Sequence, residues 1–328
     1  MPSPASASGP SRTATPALLD RQLLFVTGKG GVGKTTIAAA LGSLAAGQGR
    51  RTLVCEVDAK GDLSEAYECG PLGFSPRPLG DRLFAMHMET EASLREYLRL
   101  HLHIPLVARV ALLARSLDYV ATAAPGVREI LTVGKLAYEV RERHYDLVVV
   151  DGPATGHVVG LFAAPRGIRR LVQVGPVRSQ TGWMLDILED PARTGVVVVT
   201  TPEEMPVVET LELVGRLDAE TGVDLAAVVV NRVLPELFGG RDETIFRRLR
   251  EPGVSARLGP RLGGPVGPVL DAAALAVGLR RSRALHVAAL RQGLDGRVPL
   301  LYVPYLFGRG PGLRALAQVG EALEAELS

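Results

Sequence analysis

Short, unbroken apolar runs recur along the chain at Leu23–Thr27, Thr52–Val57, Leu83–Met88, Leu147–Asp151, Val196–Thr200, Ala226–Asn231 and Leu300–Val303. Inside them polar and apolar residues do not alternate, so each predicts a strand buried on both faces, as in a parallel sheet sandwiched by helices. Stretches of helical spacing separate most of the runs, among them Thr35–Ala46, Pro206–Glu220 and Pro268–Arg291. This succession predicts an α/β fold: a doubly wound, mostly parallel sheet with right-handed crossovers. From Met88 to Leu147 the rhythm stops. Glu91–His103, Pro105–Val120 and Gly126–Arg143 read there as helices, the middle one with Leu106, Val107, Val110, Leu113 and Leu117 on one face. With a helical patch at Gly167–Glu189 they predict a helical subdomain over roughly residues 89–145 and 167–190. Taken singly, any one such stripe is commoner as ordinary packing against a sheet. Gly253–Pro268, dense in Gly, Pro and Arg, reads as a loop or hinge.

Composition narrows the function. The 328 residues are 47% hydrophobic with few aromatics, which fits an aliphatic core in one large domain or two modest ones. A net charge of +2, with no basic stripe, offers no electrostatic footing for nucleic acid. No apolar run has the length of a membrane span, so stable membrane insertion is not expected. The acidic end, Gly320–Ser328, is unlike the basic amphipathic helix that seeks a membrane surface. Met1–Pro16, rich in Ser, Ala and Pro, lacks the apolar centre of a secretory signal, and residues 1–20 are expected to be a disordered tail ahead of a folded domain over 21–328. The two cysteines, Cys55 in a predicted strand and Cys69, form no C-x-x-C pair; they suit a reducing cytoplasm and give no zinc clasp.

The chemistry concentrates between the first strand and the first helix. Gly28-Lys29-Gly30-Gly31-Val32-Gly33-Lys34-Thr35-Thr36 fits the phosphate-loop pattern G-x-x-x-x-G-K-[ST] in its required strand–loop–helix setting. Glycines there let backbone N–H groups turn inward, and the helix N-terminus adds its positive end. Lys34 would reach the β- and γ-phosphates of ATP, and the Thr35 hydroxyl would ligate Mg²⁺. Only four lysines occur in the chain, Lys29, Lys34, Lys60 and Lys135, while arginine supplies the other basic charge. Keeping two of the four in this turn favours a phosphate cradle over a plain Gly-rich turn. Three further segments belong with it. Asp58 ends the second apolar run, where ligands bind in open α/β sheets, and could polarise the water that attacks the γ-phosphate; Asp62 is the better candidate to cap the helix that follows. Asp151 ends four hydrophobic residues, as a Walker-B aspartate does, and would hold a Mg²⁺ water, with Gly152 and Gly156 letting the next loop move. Asn231, after the sixth run, carries an amide suited to an adenine edge.

These motifs resemble the ArsA family of ATPases, which includes the arsenical pump-driving ATPase and the guided-entry ATPase that targets tail-anchored proteins; the deviant-Walker-A ParA and MinD proteins are more distant relatives. Gly28–Thr36 matches the family's GKGGVGKTT, Asp58–Ala66 its switch I, Asp151–His157 its switch II, and Thr201–Met205 with Glu209-Thr210 its "PEEM…ET" helix start. Asn231 and Val303-Pro304-Tyr305 align with the adenine-contacting segments, and Gly126–Glu129 with Gly134-Lys135 are similar to bacterial, notably actinobacterial, members that can come as paralogue pairs. The resemblance implies a Mg²⁺-dependent ATPase acting as a homodimer, or as a heterodimer with a paralogue. It implies Lys29 as the signature lysine that crosses to the partner's phosphates, Lys34, Thr35 and Thr36 on phosphate and metal, Asp58 on the attacking water, Asp151 on Mg²⁺, and Asn231 and Pro304 at the base. Ala59, Gly61 and Gly152 depart from the usual Pro, His and Thr of the switches, which softens the loops without removing a carboxylate.

For the partner, the helical stretches suggest a nucleotide-gated surface for a hydrophobic client or membrane protein, although of five methionines only Met184 falls within them. A ParA- or MinD-like positioning switch is the alternative from another class, and it lacks its basic surface. An anion-exporter subunit is the third, and the cysteine set that binds arsenite is missing.

Overall fold

The computed structural model of the chain describes residues 17–58, 61–101, 126–171, 174–308, 310 and 312–328. The apolar runs assemble into one eight-stranded sheet. In spatial order its strands are β3 (Arg77–Pro78), β4 (Leu83–His87), β2 (Thr52–Glu56), β5 (Leu147–Ala154), β1 (Leu23–Gly28), β6 (Thr194–Thr200), β7 (Leu225–Val233) and β8 (Leu300–Pro304). Every pair is parallel except β3 with β4. The apolar pattern misses β3 because it is two exposed residues at the sheet edge, where the missing N–H of Pro78 costs no ladder bond.

Alternate strand residues enter two cores. Leu24, Val26, Val54, Leu147, Val149 and Val199 lie on the face covered by α1 (Lys34–Gly47) and α11 (Leu313–Leu327). Ala38, Ala39 and Ala40 are fully buried there, and their small side chains favour the helix while letting it sit close to the sheet. The short α2 (Asp62–Ala66) follows β2 on this side, and Leu63 is buried with that core. Phe25, Cys55, Val148, Val150 and Val198 enter the other core, with α4 (Val127–Arg141), α5 (Thr155–Leu171), α6 (Pro176–Leu188), α7 (Glu204–Glu220) and the end of α10 (Gly267–Leu294). Outside them, α3 (Thr90–His101) packs on α4, and α8 (Gly240–Leu249) touches α9 (Pro252–Leu262). Among the described residues no helix is long and apolar enough to cross a membrane.

Three expectations need correction. The stretch Gly253–Pro268 is mostly helix: Pro252 sits in the first turn of α9, where its missing N–H is harmless, Gly263 closes the helix at φ +76°, and α10 begins at Gly267. No loop follows Asp151. The β1–β5 ladder continues past a bulge to pair Gly28 with Ala154, so Gly152 lies inside a strand and Gly156 inside α5. Leu18–Asp20, expected within the tail, form a 3₁₀ turn with Leu18 and Leu19 buried in the α1-side core. The helical patch Gly167–Glu189 resolves into the end of α5 and α6. The expected helix Pro105–Val120, together with Ala59, Lys60 and His103, lies outside the described residues.

Candidate active site

β1 delivers the glycine turn to the carboxyl edge of the sheet, between β5 and β6. Gly28 has φ +151°, and a Cβ there would run into the Val199 carbonyl oxygen, so only glycine fits the exit from the strand. Gly33 takes the left-handed conformation at φ +97° and starts α1 at Lys34; a Cβ on it would strike the Asn231 amide. Gly30 and Gly31 are exposed and face open space, which leaves room for an anion against the loop and the helix N-terminus. Lys34 Nζ spans the turn to the Lys29 carbonyl oxygen at 3.3 Å.

Behind the loop, Thr35 Oγ1 donates to Asp151 Oδ2 at 2.6 Å. Asp151 is 6% exposed, and its Oδ1 has no hydrogen-bond partner. Burial pushes this carboxyl up to about 6; the Thr35 hydrogen bond and the Lys34 charge pull it down, and Glu56 and Asp62 push it further up. Glu56 is its register partner across β2–β5 and is 2% exposed. Glu56 Oε1 accepts the Asp62 N–H at 3.0 Å, at the start of α2. Sequence reasoning passed over Glu56, although a carboxylate inside an apolar strand is a signal in itself. An oxygen without a partner beside a loop hydroxyl is a donor set suited to a hard cation such as Mg²⁺. Among the described residues no group of three or more His, Cys, Asp or Glu is placed to hold a metal ion.

On the opposite side of the turn, Asn231 at the end of β7 is buried; its Nδ2 donates to the Val32 carbonyl oxygen at 2.8 Å, and its Oδ1 accepts the Arg232 N–H at 2.9 Å. A cavity of about 1220 Å³ opens beside it, lined by Gly33, Thr36, Asn231, Pro304, Tyr305 and Phe307 among others. Tyr305 and Phe307 meet edge to face with centroids 5.0 Å apart, so the mouth is aromatic. The side chains of two expected residues have partners on other helices. Lys29 pairs with Glu209 of α7, and Asp58 lies 3.8 Å from Arg128 of α4 as a solvent-exposed pair.

A strand, a glycine turn and a helix, with a neighbouring strand whose Asp151 meets the first helical turn, define a P-loop nucleoside triphosphatase. The chain belongs to the ArsA family of anion-transporting ATPases, whose family model matches residues 21–182 and 171–247, and it is an ATPase. It is 30% identical over 333 residues to ATPase BagA of Mycobacterium tuberculosis, covering 97% of each chain. A Halobacterium salinarum protein named for driving an arsenical pump is 28% identical over 253 residues, covering 70% of this chain and 38% of its own. An ATPase ASNA1 homolog of Cryptosporidium parvum is 25% identical over 268 residues, 71% of this chain and 72% of its own.

Proposed function

We propose that the chain is a Mg²⁺-dependent ATPase that works as a nucleotide-switched dimer, binding and releasing a partner as ATP is cleaved to ADP and phosphate. The observation that carries this reading is the Thr35–Asp151 hydrogen bond behind the glycine turn, with the second Asp151 oxygen left without a partner. In this reading Gly28–Thr36 cradles the phosphates, Lys34 neutralises the β- and γ-oxygens, and Thr35 with Asp151 holds the ion. Bound Mg²⁺ supplies charge neutralisation on those same oxygens. Asp58 positions the attacking water; its contact with Arg128 is long and exposed and costs little to exchange. Pro304 and the aromatic mouth take the base. Such a site accelerates phosphoryl transfer by positioning and electrostatics, with no covalent intermediate on the protein.

Calorimetry of the full chain with ATP and ADP, with and without Mg²⁺, tests the proposal directly. Lys34→Ala is expected to abolish nucleotide binding. Asp58→Asn should keep ATP bound while turnover falls by about 10²–10⁴, the usual worth of a positioned base. Absence of metal-dependent nucleotide binding in the wild type, or full turnover in Asp58→Asn, refutes it.

An apolar cavity of about 220 Å³ between α3, α4 and α6, lined by Leu94, Tyr97, Ile130, Trp183 and Met184 among others, supports a hydrophobic partner. Co-purification in the ADP and ATP states that returns no membrane-protein segment would remove that part. Arsenite capture fits less well: Cys55 is fully buried, and burial pushes its thiol pKa upward, away from the thiolate that would ligate arsenic(III).

A further inference from the structure

At the carboxyl edge of the sheet, β4, β2 and β5 place His87, Glu56 and Asp151 in one row, since Glu56 is in register with both of the others. The alternation of side chains puts this row on the face of Ala85, Val54 and Val149, beneath α1 and the phosphate loop. Glu56 and Asp151 therefore stand side by side on neighbouring strands, about 5 Å apart at the backbone. Each keeps one buried oxygen with no hydrogen-bond partner, Glu56 Oε2 and Asp151 Oδ1. Lys34 brings its positive charge to Asp151 from the glycine turn, while on the other side His87 Nδ1 is 3.6 Å from Glu56 Oε2, too far for a hydrogen bond. Two buried carboxylates with spare oxygens repel each other unless a cation lies between or beside them.

We propose that Glu56 is a positioning residue of the magnesium site, its free oxygen holding a water of the hydrated cation while Asp151 holds another. The inference rests on the Mg²⁺–nucleotide reading above and extends it to a residue outside the glycine turn and both switch motifs. It also links the metal to α2, because the other Glu56 oxygen takes the N–H of Asp62, just beyond the Asp58 segment. Mg²⁺ keeps most of its waters, and second-sphere carboxylates of this kind set its affinity.

The test is a Mg²⁺ titration of fluorescent ADP binding to the full chain, with the same binding measured in EDTA. Glu56→Gln keeps the shape and retains an oxygen for the Asp62 N–H, so it removes charge and little else. The expected result is a Mg²⁺ midpoint raised about tenfold, with affinity in EDTA unchanged. An unchanged midpoint overturns the inference, and so does an equal loss with and without metal, which marks a purely structural role. A wild type whose ADP affinity ignores Mg²⁺ sinks the parent reading instead, so the two failures are distinct. Should Glu56→Gln not fold, Glu56→Asp keeps the charge but withdraws it by one methylene. A midpoint raised severalfold supports the proposal, and an unaltered one overturns it.

Discussion

Asp151 is under opposing demands: a cation site needs it ionised, and its surroundings favour the proton. With no cation bound, its carboxyl sits at about 6 against an ordinary 3.8, mainly because it is buried. Between those values the native state binds more protons than the unfolded chain, so stability falls as pH rises. The contribution is fully present below about pH 4 and is lost as pH climbs through 6. We expect Asp151→Asn, which retains an acceptor for Thr35, to gain stability over the nucleotide-free wild type by about 3 kcal/mol more at pH 7.5 than at pH 4. Urea unfolding at the two pH values measures this, and a difference that does not change with pH rejects it. The same variant should lose metal-dependent ADP binding. Asp151 itself was legible in the sequence, because its signal is local: four hydrophobic residues and an acid at the end of a run. Glu56 was not, since its neighbour is set by the β2–β5 register, and its own run shows only a charge where an apolar residue is usual.

At the scale of elements, most strands were legible and the junctions between them were not. An apolar run marks where a strand is buried on both faces, but it does not say where pairing stops. Hence β5 continues three residues past Asp151, through Gly152 and Pro153, on the strength of its ladder with β1. Gly/Pro density misled at Gly253–Pro268, because Gly263 closes α9 and Pro268 lies in the first turn of α10, positions that favour those residues, while α9 carries Pro260 within it. Asn231 shows how one element holds another. Adenine recognition is the role its residue type suggests, yet its Nδ2 is bonded to the phosphate loop at Val32, and its side chain packs against Gly33. Removing that amide leaves the Val32 carbonyl without its donor and loosens the loop shared by every nucleotide. Asn231→Ala is therefore expected to weaken ATP and GTP binding by the same factor, about tenfold for one buried unsatisfied group. A change in the ATP-to-GTP preference would instead assign Asn231 to the base.

For the whole molecule, the informative contact is the ion pair of Lys29 with Glu209, because it engages within one chain the lysine expected to work across two. Both side chains are about one-third exposed, so the pair is screened and readily exchanged. Phosphate oxygens of a second subunit carry more negative charge than one carboxylate and would compete well for the ammonium. In the proposed dimer, closure would cost the Lys29–Glu209 pair and gain a contact that strengthens as charge develops on the transferring phosphoryl group. Two outcomes follow for ATPase activity measured against protein concentration. Lys29→Ala should bind ATP normally and lose turnover by about 10²–10³ at all concentrations, as when one preorganised donor is removed. Glu209→Gln should free the lysine, shift the activity curve to lower protein concentration, and leave the plateau rate near the wild-type value. Specific activity that is independent of protein concentration in wild type and both variants, down to concentrations at which sedimentation shows only monomer, would mean that each chain completes its own site and that Glu209 merely anchors the loop.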